Sequence, residues 1–542
     1  MNRSKFLLIT AVSVPLFIAA FVWFSALSFV PVPWPDDAAF YFAARELFKW
    51  PPRWVMLPQA PFEPTYAIFS FNIMPLFSVL IGLGKFIGLD GSFLIKFWSL
   101  LFWALSAVAL SVALLKKRAP LWLALLPSLL LMCDPIARWG AVIVRPESMI
   151  GFLGTLLVLE LTFGFPKKAR LRGLFDPISV ILGIAAYFHY NAIHLVIPVV
   201  LSFLLREELK TALKRLVAIG LKTGVYLIPY LLTVAYQWEI FKTQMSVQFR
   251  RLSASNDWLK DPSHAIQSIM QAMGSPEPWE DRVSWAGAAL MLTILSALAF
   301  GILLPLARKL MLKHNSSDKI SLVPAAAWVL GASLLWDQKP EVWFVYYIHV
   351  SIAIFVGVAL YKLWAEENRT LAWGASGVVA VLVIYFAQLD YAQAARMGGT
   401  QSWNWETYHE FVSCVDQRLM EFEKSENKLD RDFHVWCPVF PDITIELARR
   451  HPDWILTRTN DFWERANLAV QHGRDVDAVV VTETLNWPER YISAPQSSNP
   501  EIQSTWMTWK TYFLNRLYEE PGWKPNRYLC QRGRWQAFMF MK

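Results

Sequence analysis

Cysteine and charge are both scarce in this chain. Only 4 of its 542 residues are cysteine, too few for a disulfide scaffold. Charged residues make up 17% against 55% hydrophobic ones. No glycine-rich phosphate loop sits between a strand and a helix, which excludes a soluble nucleotide-sugar donor held by a Rossmann-type domain. There is no internal repeat of the kind found in many transporters, and no low-complexity segment.

What is abundant is apolar sequence in runs that match the thickness of a bilayer core. With a mean hydropathy of +0.33, the chain reads as an integral membrane protein. Its net charge of +8 does not point to nucleic acid, because Lys and Arg concentrate in short loops between apolar spans, as positive-inside topology produces. The 27 Trp and 17 Tyr suit interfacial belts, with sugar- and lipid-lining sites as their other use.

Residues 1–30, with Arg3 and Lys5 ahead of an apolar run and no small-residue cleavage site, read as a retained signal anchor that crosses outward. The run 67–89 is broken by Asn72, Pro75, Gly82, Gly84, Lys85 and Gly88. Counting it as a span would put Lys116-Lys117-Arg118 and the cations from Arg206 through Arg215 outside, so it is read as an in-plane or re-entrant helix. Spans follow at 92–115, 119–133, 146–165, 175–188, 191–205, 216–238, 285–312, 321–336, 343–363 and 371–389. That gives about 11 crossings and places the C-terminus outside. The sequons at Asn2, Asn315 and Asn368 all fall inside. Residues 31–91 form the first outer loop, with an amphipathic helix lying on the surface from Asp36 onward. Residues 239–284 form a second outer loop, and from 391 to 542 the composition suggests a small α/β domain. Cys133 reads as core, and Cys414 with Cys437 as the expected bridge if that domain is extracytoplasmic.

On this topology several polar groups share the outer face. Asp36-Asp37 follow the first span, where adjacent carboxylates are costly unless they face water, a counter-charge or a substrate; a helix cap with a first-turn acid is the alternative. Arg138 and Arg145 oppose the positive-inside trend and suit a bound anion, while Pro146 and Glu147 fit an ordinary helix start. His189 and His194 are packing residues or, joined by carboxylates, metal ligands. Arg250 with Arg251 is solvated charge or anion contact. Lys339, with the hydroxyls of Tyr346 and Tyr347, suits a phosphate ester.

These residues resemble the GT-C superfamily of membrane glycosyltransferases, nearest its branch of protein O-mannosyltransferases and lipid A aminoarabinose transferases. The likeness covers roughly residues 1–390 and rests on Asp36-Asp37, Asn72-Ile-Met-Pro75, Arg145-Pro146-Glu147 and the stretch from Lys339 to Tyr346-Tyr347. Asp37 stands where Glu is common in the branch, and Asn72-Ile-Met-Pro75 where His-Pro-Pro is often found. The resemblance implies a mainly α, polytopic bundle and an inverting transfer of a sugar from polyprenyl phosphate to a glycolipid, polysaccharide or protein. It further implies Asp36 as general base and a bacterial inner membrane with the site extracytoplasmic. No metal is assigned, although the chemistry accommodates a divalent cation. The rival readings are a transporter or flippase of a lipid-linked or anionic substrate and a non-catalytic envelope scaffold.

Overall fold

The computed structural model describes residues 10, 12–14, 16–17, 35–55, 69–71, 74–134, 137–138, 141, 144–164, 175–253, 285–312, 320–338, 342–398, 405–425, 433–437, 443–457, 476–484, 528–533 and 535–541. In chain order the helices begin with α1 (Pro35–Leu47), α2 (Pro75–Phe86), α3 (Phe97–Lys116), α4 (Leu121–Cys133), α5 (Glu147–Phe163), α6 (Pro177–Phe188) and α7 (Val196–Arg206). They continue with α8 (Leu209–Tyr236), α9 (Trp238–Ser253), α10 (Trp285–Leu298), α11 (Leu304–Leu312), α12 (Val323–Gln338), α13 (Val342–Ala365), α14 (Arg369–Gly398) and α15 (Trp405–Ser425). The polar end then adds β1 (His434–Trp436), α16 (Thr444–Arg450), β2 (Ile455–Thr457), β3 (Ala478–Thr484), β4 (Tyr528–Arg532) and β5 (Trp535–Met541).

Among the described residues, five helical runs are long and apolar enough to cross a bilayer: Leu94–Lys116, Leu209–Tyr236, Ala289–Leu310, Tyr346–Ala365 and Arg369–Gln388. The expected crossings at 119–133, 175–188, 191–205 and 321–336 correspond to shorter apolar helices. At ~1.5 Å per residue, the 12-residue α2 rises about 18 Å, well short of a hydrocarbon core of about 30 Å. Apart from residues 10, 12–14 and 16–17, the first expected span lies outside the described residues.

The chain forms two compact units that interleave in sequence. One comprises Met1–Ser25, Ser99–Val142 and Pro146–Gln393, and the other Ala26–Trp98, Ile143–Arg145 and Ala394–Lys542. The second therefore joins residues 26–98 to the polar C-terminal region.

In the first unit α13 packs against α4, α5 and α12. Hydrophobic burial gives little drive between helices in lipid, so close approach and buried polar contacts must hold them. Both are present. A Cβ on Gly151 of α5 would stand 2.8 Å from Tyr346 Cε1, and one on Gly331 of α12 would stand 2.8 Å from the His194 carbonyl oxygen. Between α3 and α4, Ser111 Oγ donates to the Ala124 carbonyl (2.9 Å) and Ser128 Oγ to that of Ala107 (2.8 Å).

The loop cations have local work as well. Lys117 Nζ donates to the Phe163 carbonyl at the end of α5 (3.1 Å), and Arg206 to that of Leu161 (2.8 Å). Lys309 reaches the carbonyls of Leu204 and Glu207 at the end of α7. These contacts satisfy helix C-terminal carbonyls and offset the negative end of the dipole. They also gather the ends of α3, α5 and α7 at one pole of the bundle. The end of α4 at Asp134 and the start of α5 at Glu147 belong to the opposite pole.

In the second unit α1 is buried all round rather than along one stripe: Asp37 through Ala44 are each no more than 5% exposed. This corrects the expected surface-lying amphipathic helix. The physical reason is protein contact: Arg45 donates to the Ala448 and Pro452 carbonyls (3.4 and 2.5 Å), closing the end of α16 over α1. The sheet runs β2-β1-β3-β5-β4, with β1 parallel to β2 and β3, and β5 antiparallel to β3 and β4. Its central run, Val479-Val480-Val481, is fully buried, and α15 packs on β4 and β5.

That packing corrects the expected disulfide. Cys414, on α15, bonds Cys530, on β4, whereas Cys437, just after β1, is buried and takes no part in that bridge. Proximity in sequence favoured Cys437, and the helix-on-strand contact brings Cys530 to Cys414 instead.

Candidate active site

The site builds first from Asp37. Its Oδ2 accepts from Lys96 Nζ at 2.8 Å and its Oδ1 from the Val144 N–H at 3.1 Å. Both side chains of the ion pair are at most 1% exposed. A carboxylate enclosed this way needs a cation and further donors to repay its lost hydration, and it has both. Asp37 thus ties α1 to Lys96 and to the backbone of Val144. Both of its oxygens are engaged by the protein.

The 90–92 turn is clasped by α16. The Ser92 N–H donates to Glu446 Oε1 at 2.8 Å, and Arg449 reaches Oε2 at 3.1 Å. Burial alone would raise the Glu446 carboxyl, but the Ser92 N–H and the Arg449 guanidinium outweigh it and hold the group below its ordinary range. Burial, then Asp90, push the Tyr41 phenol far above its ordinary value.

The helix bundle carries a second polar group. Asp134 ends α4, its Oδ1 accepting the Ala137 N–H at 3.0 Å and its Oδ2 bonding His349 Nδ1 on α13. Arg138 folds back so that its N–H meets the Asp134 carbonyl at 2.9 Å. Glu147 opens α5, fully buried, with Ser148 beside it. Tyr346 and Tyr347 are also fully buried, and the Tyr347 ring lies 4.6 Å from that of His194. His189 caps the short 3-10 turn Tyr190–Leu195, its Nδ1 accepting the Asn191 N–H at 3.1 Å.

The sequence-derived residues therefore divide. Asp37, with Lys96, is bonded to Val144, and the neighbouring Arg145 is 8% exposed. Arg138, Glu147, His189, Tyr346 and Tyr347 are all buried in the bundle. Asp36 occupies the first turn of α1 and Arg250 lies on α9; the side chains of both, and the whole of Lys339, lie outside the described residues. Three participants went unassigned by the sequence. Lys96 had a signal as a solitary cation at the start of an apolar run, while Asp134 and His349, each within a polar stretch, carried no mark of their pairing, being 215 residues apart. Among the described residues no three His, Cys, Asp or Glu side chains converge as metal ligands, so no metal is placed.

No protein-family model matches the sequence, and no curated protein matches it. The oligosaccharyltransferase of Archaeoglobus fulgidus, solved with zinc and sulfate, is similar at a TM-score of 0.52 and 12% identity, over 90% of this chain and 70% of that one. ArnT from Cupriavidus metallidurans bound to undecaprenyl phosphate gives a TM-score of 0.45 at 13% identity, over 99% and 98% of the two chains. Its apo state gives 0.41 at 13%, over 98% and 97%. The chain is an integral membrane protein with a GT-C-like fold.

Proposed function

We propose that this protein is a glycosyltransferase that moves a sugar from a polyprenyl-phosphate donor to an extracytoplasmic glycolipid, polysaccharide or protein, with inversion. The observation that carries the reading is a GT-C-like fold whose helix bundle buries Asp134, Arg138, Glu147 and His349 at one pole. Ionisable groups inside a membrane bundle are expensive and usually serve a substrate path. A fold shared with an oligosaccharyltransferase supports transfer over transport.

The roles follow the chemistry. Asp36 is the general base on the acceptor hydroxyl, Arg138 and Arg145 hold the anionic phosphate, and Asp37, paired with Lys96, anchors the backbone ahead of Arg145. Lys339, with Tyr346 and Tyr347, adds phosphate contacts, and His189, Arg250 and Glu147 complete the substrate-binding set. The Cys414–Cys530 bond supports an oxidising, extracytoplasmic compartment for the C-terminal region. The cation-capped ends of α3, α5 and α7 support the inner face, in line with positive-inside topology, and a bacterial inner membrane.

The test is transfer by the purified full-length protein in nanodiscs, using polyprenyl-phosphate-linked hexoses and pentoses. Asp36→Asn should lower kcat by about 10²- to 10⁴-fold, the usual weight of a general base, with thermal stability unchanged. Full activity in that variant would remove Asp36 from the role. A wild-type protein that neither binds polyprenyl phosphate nor transfers sugar would overturn the reading itself.

A further inference from the structure

Asp37 is satisfied on both oxygens, but His349 is not satisfied on both nitrogens. Its ring is held at Nδ1 by Asp134 Oδ2, and the other Asp134 oxygen is fixed by the Ala137 N–H. The residue is 3% exposed, and among the described residues its buried Nε2 has no hydrogen-bond partner. A dyad kept only for packing closes its hydrogen bonds within the protein, because an unmade buried one is costly. Here one ring nitrogen is left open while everything that orients it is fixed.

The carboxylate also decides what that nitrogen can meet. Asp134 offers only lone pairs, so Nδ1 must carry a proton, and in that tautomer of the imidazole the lone pair lies on Nε2. A lone pair accepts from a hydroxyl and repels the unprotonated oxygens of a phosphodiester. Tyr346, one turn earlier on the same face of α13, lies against Gly151 in the first turns of α5, so this face looks toward the Glu147 end of the bundle. Resting on the transferase reading above, we propose that His349, oriented by Asp134, accepts a hydrogen bond from one hydroxyl of the sugar being transferred and so sets donor specificity. A site built around a buried acceptor rejects a sugar that lacks the matching hydroxyl, since the acceptor is then left bare.

The experiment is a cycle between His349→Ala and a set of monodeoxy polyprenyl-phosphate hexoses, using full-length protein in nanodiscs. For wild type, one deoxy position should cost 10-fold or more in kcat/KM, and in the variant that same position should cost less than 2-fold. Asp134→Asn, which frees the ring to turn, should soften the same position and no other. A uniform loss on every donor would make the dyad purely structural and overturn the proposal, as would unchanged discrimination, which is what a buried water on Nε2 produces. If wild type transfers sugar and the cycle shows no coupling, the inference fails alone; if wild type transfers none, the transferase reading fails and the inference with it. If His349→Ala does not fold, His349→Gln and Asp134→Asn carry the same cycle.

Discussion

Asp37→Asn removes the charge on one side of a fully enclosed ion pair and changes little else. The amide oxygen can still accept the Val144 N–H, so the local shape is kept, but Lys96 is left as a buried cation facing a dipole. Breaking a buried pair from one side typically costs about 3–5 kcal/mol. For a cooperative unit of 150–250 residues that corresponds to a fall in Tm on the order of 10 °C. Asp37→Asn with Lys96→Met should recover most of the loss, because the methionine stem fills the lysine space and no charge remains. The coupling between the two sites should be at least about 2 kcal/mol, far above the few tenths expected of independent positions. Thermal unfolding in detergent, read by the retention of a monodisperse peak after heating, measures all four corners of the cycle. A single variant as stable as wild type, or a double variant as weak as the single one, would refute the structural role and return Asp37 to the list of candidate bases.

Further outcomes follow from the same contacts. Glu446→Gln should cost about 1–3 kcal/mol by weakening the clasp on Ser92 and Arg449. Because the folded Glu446 carboxyl is held below its ordinary value, its contribution is present above about pH 4–5 and lost as pH falls through the folded value. The variant should therefore show a flatter acid limb in a pH series of melting curves. Asp416, held low by His451 and Arg450 against its own burial, should act in the same direction. Cys530→Ala opens a cross-link between residues 116 apart and should destabilise by about 3–5 kcal/mol, whereas Cys437→Ala should preserve the oxidised gel mobility that Cys414→Ala abolishes. Gly151→Ala should cost about 1–3 kcal/mol, since its Cβ would press on Tyr346; stability unaltered in melting curves would show that the ring has room to move.

Much of the architecture was readable from local pattern. Apolar length predicts helices, and the cations that follow α3 and α7 mark one face because charge bias and helix ends act within a few residues. The apolar run 478–482 suits a strand because three consecutive valines fit a strand covered on both faces. The break in 67–89 shows in its glycines, and α2 is correspondingly short. Other features were out of reach. Nothing in the sequence near Asp37 names Lys96 or Val144 as its partners, and Asp134 carries no mark of His349. The surface-helix reading of α1 failed for the same reason, since its covering residues, Ala448 and Pro452, come from the far end of the chain.

The sequence by itself determined the membrane class, the helical content, the pole to which the cations belong and the acidic start of α1. Each of these depends on composition or on neighbours within a turn or two. The tertiary structure alone decided which acids are spent on structure and which nitrogen is left open. Lys96 pairs with Asp37, and Asp134 fixes the His349 ring, because buried charges choose partners by proximity in space and by the cost of remaining unpaired.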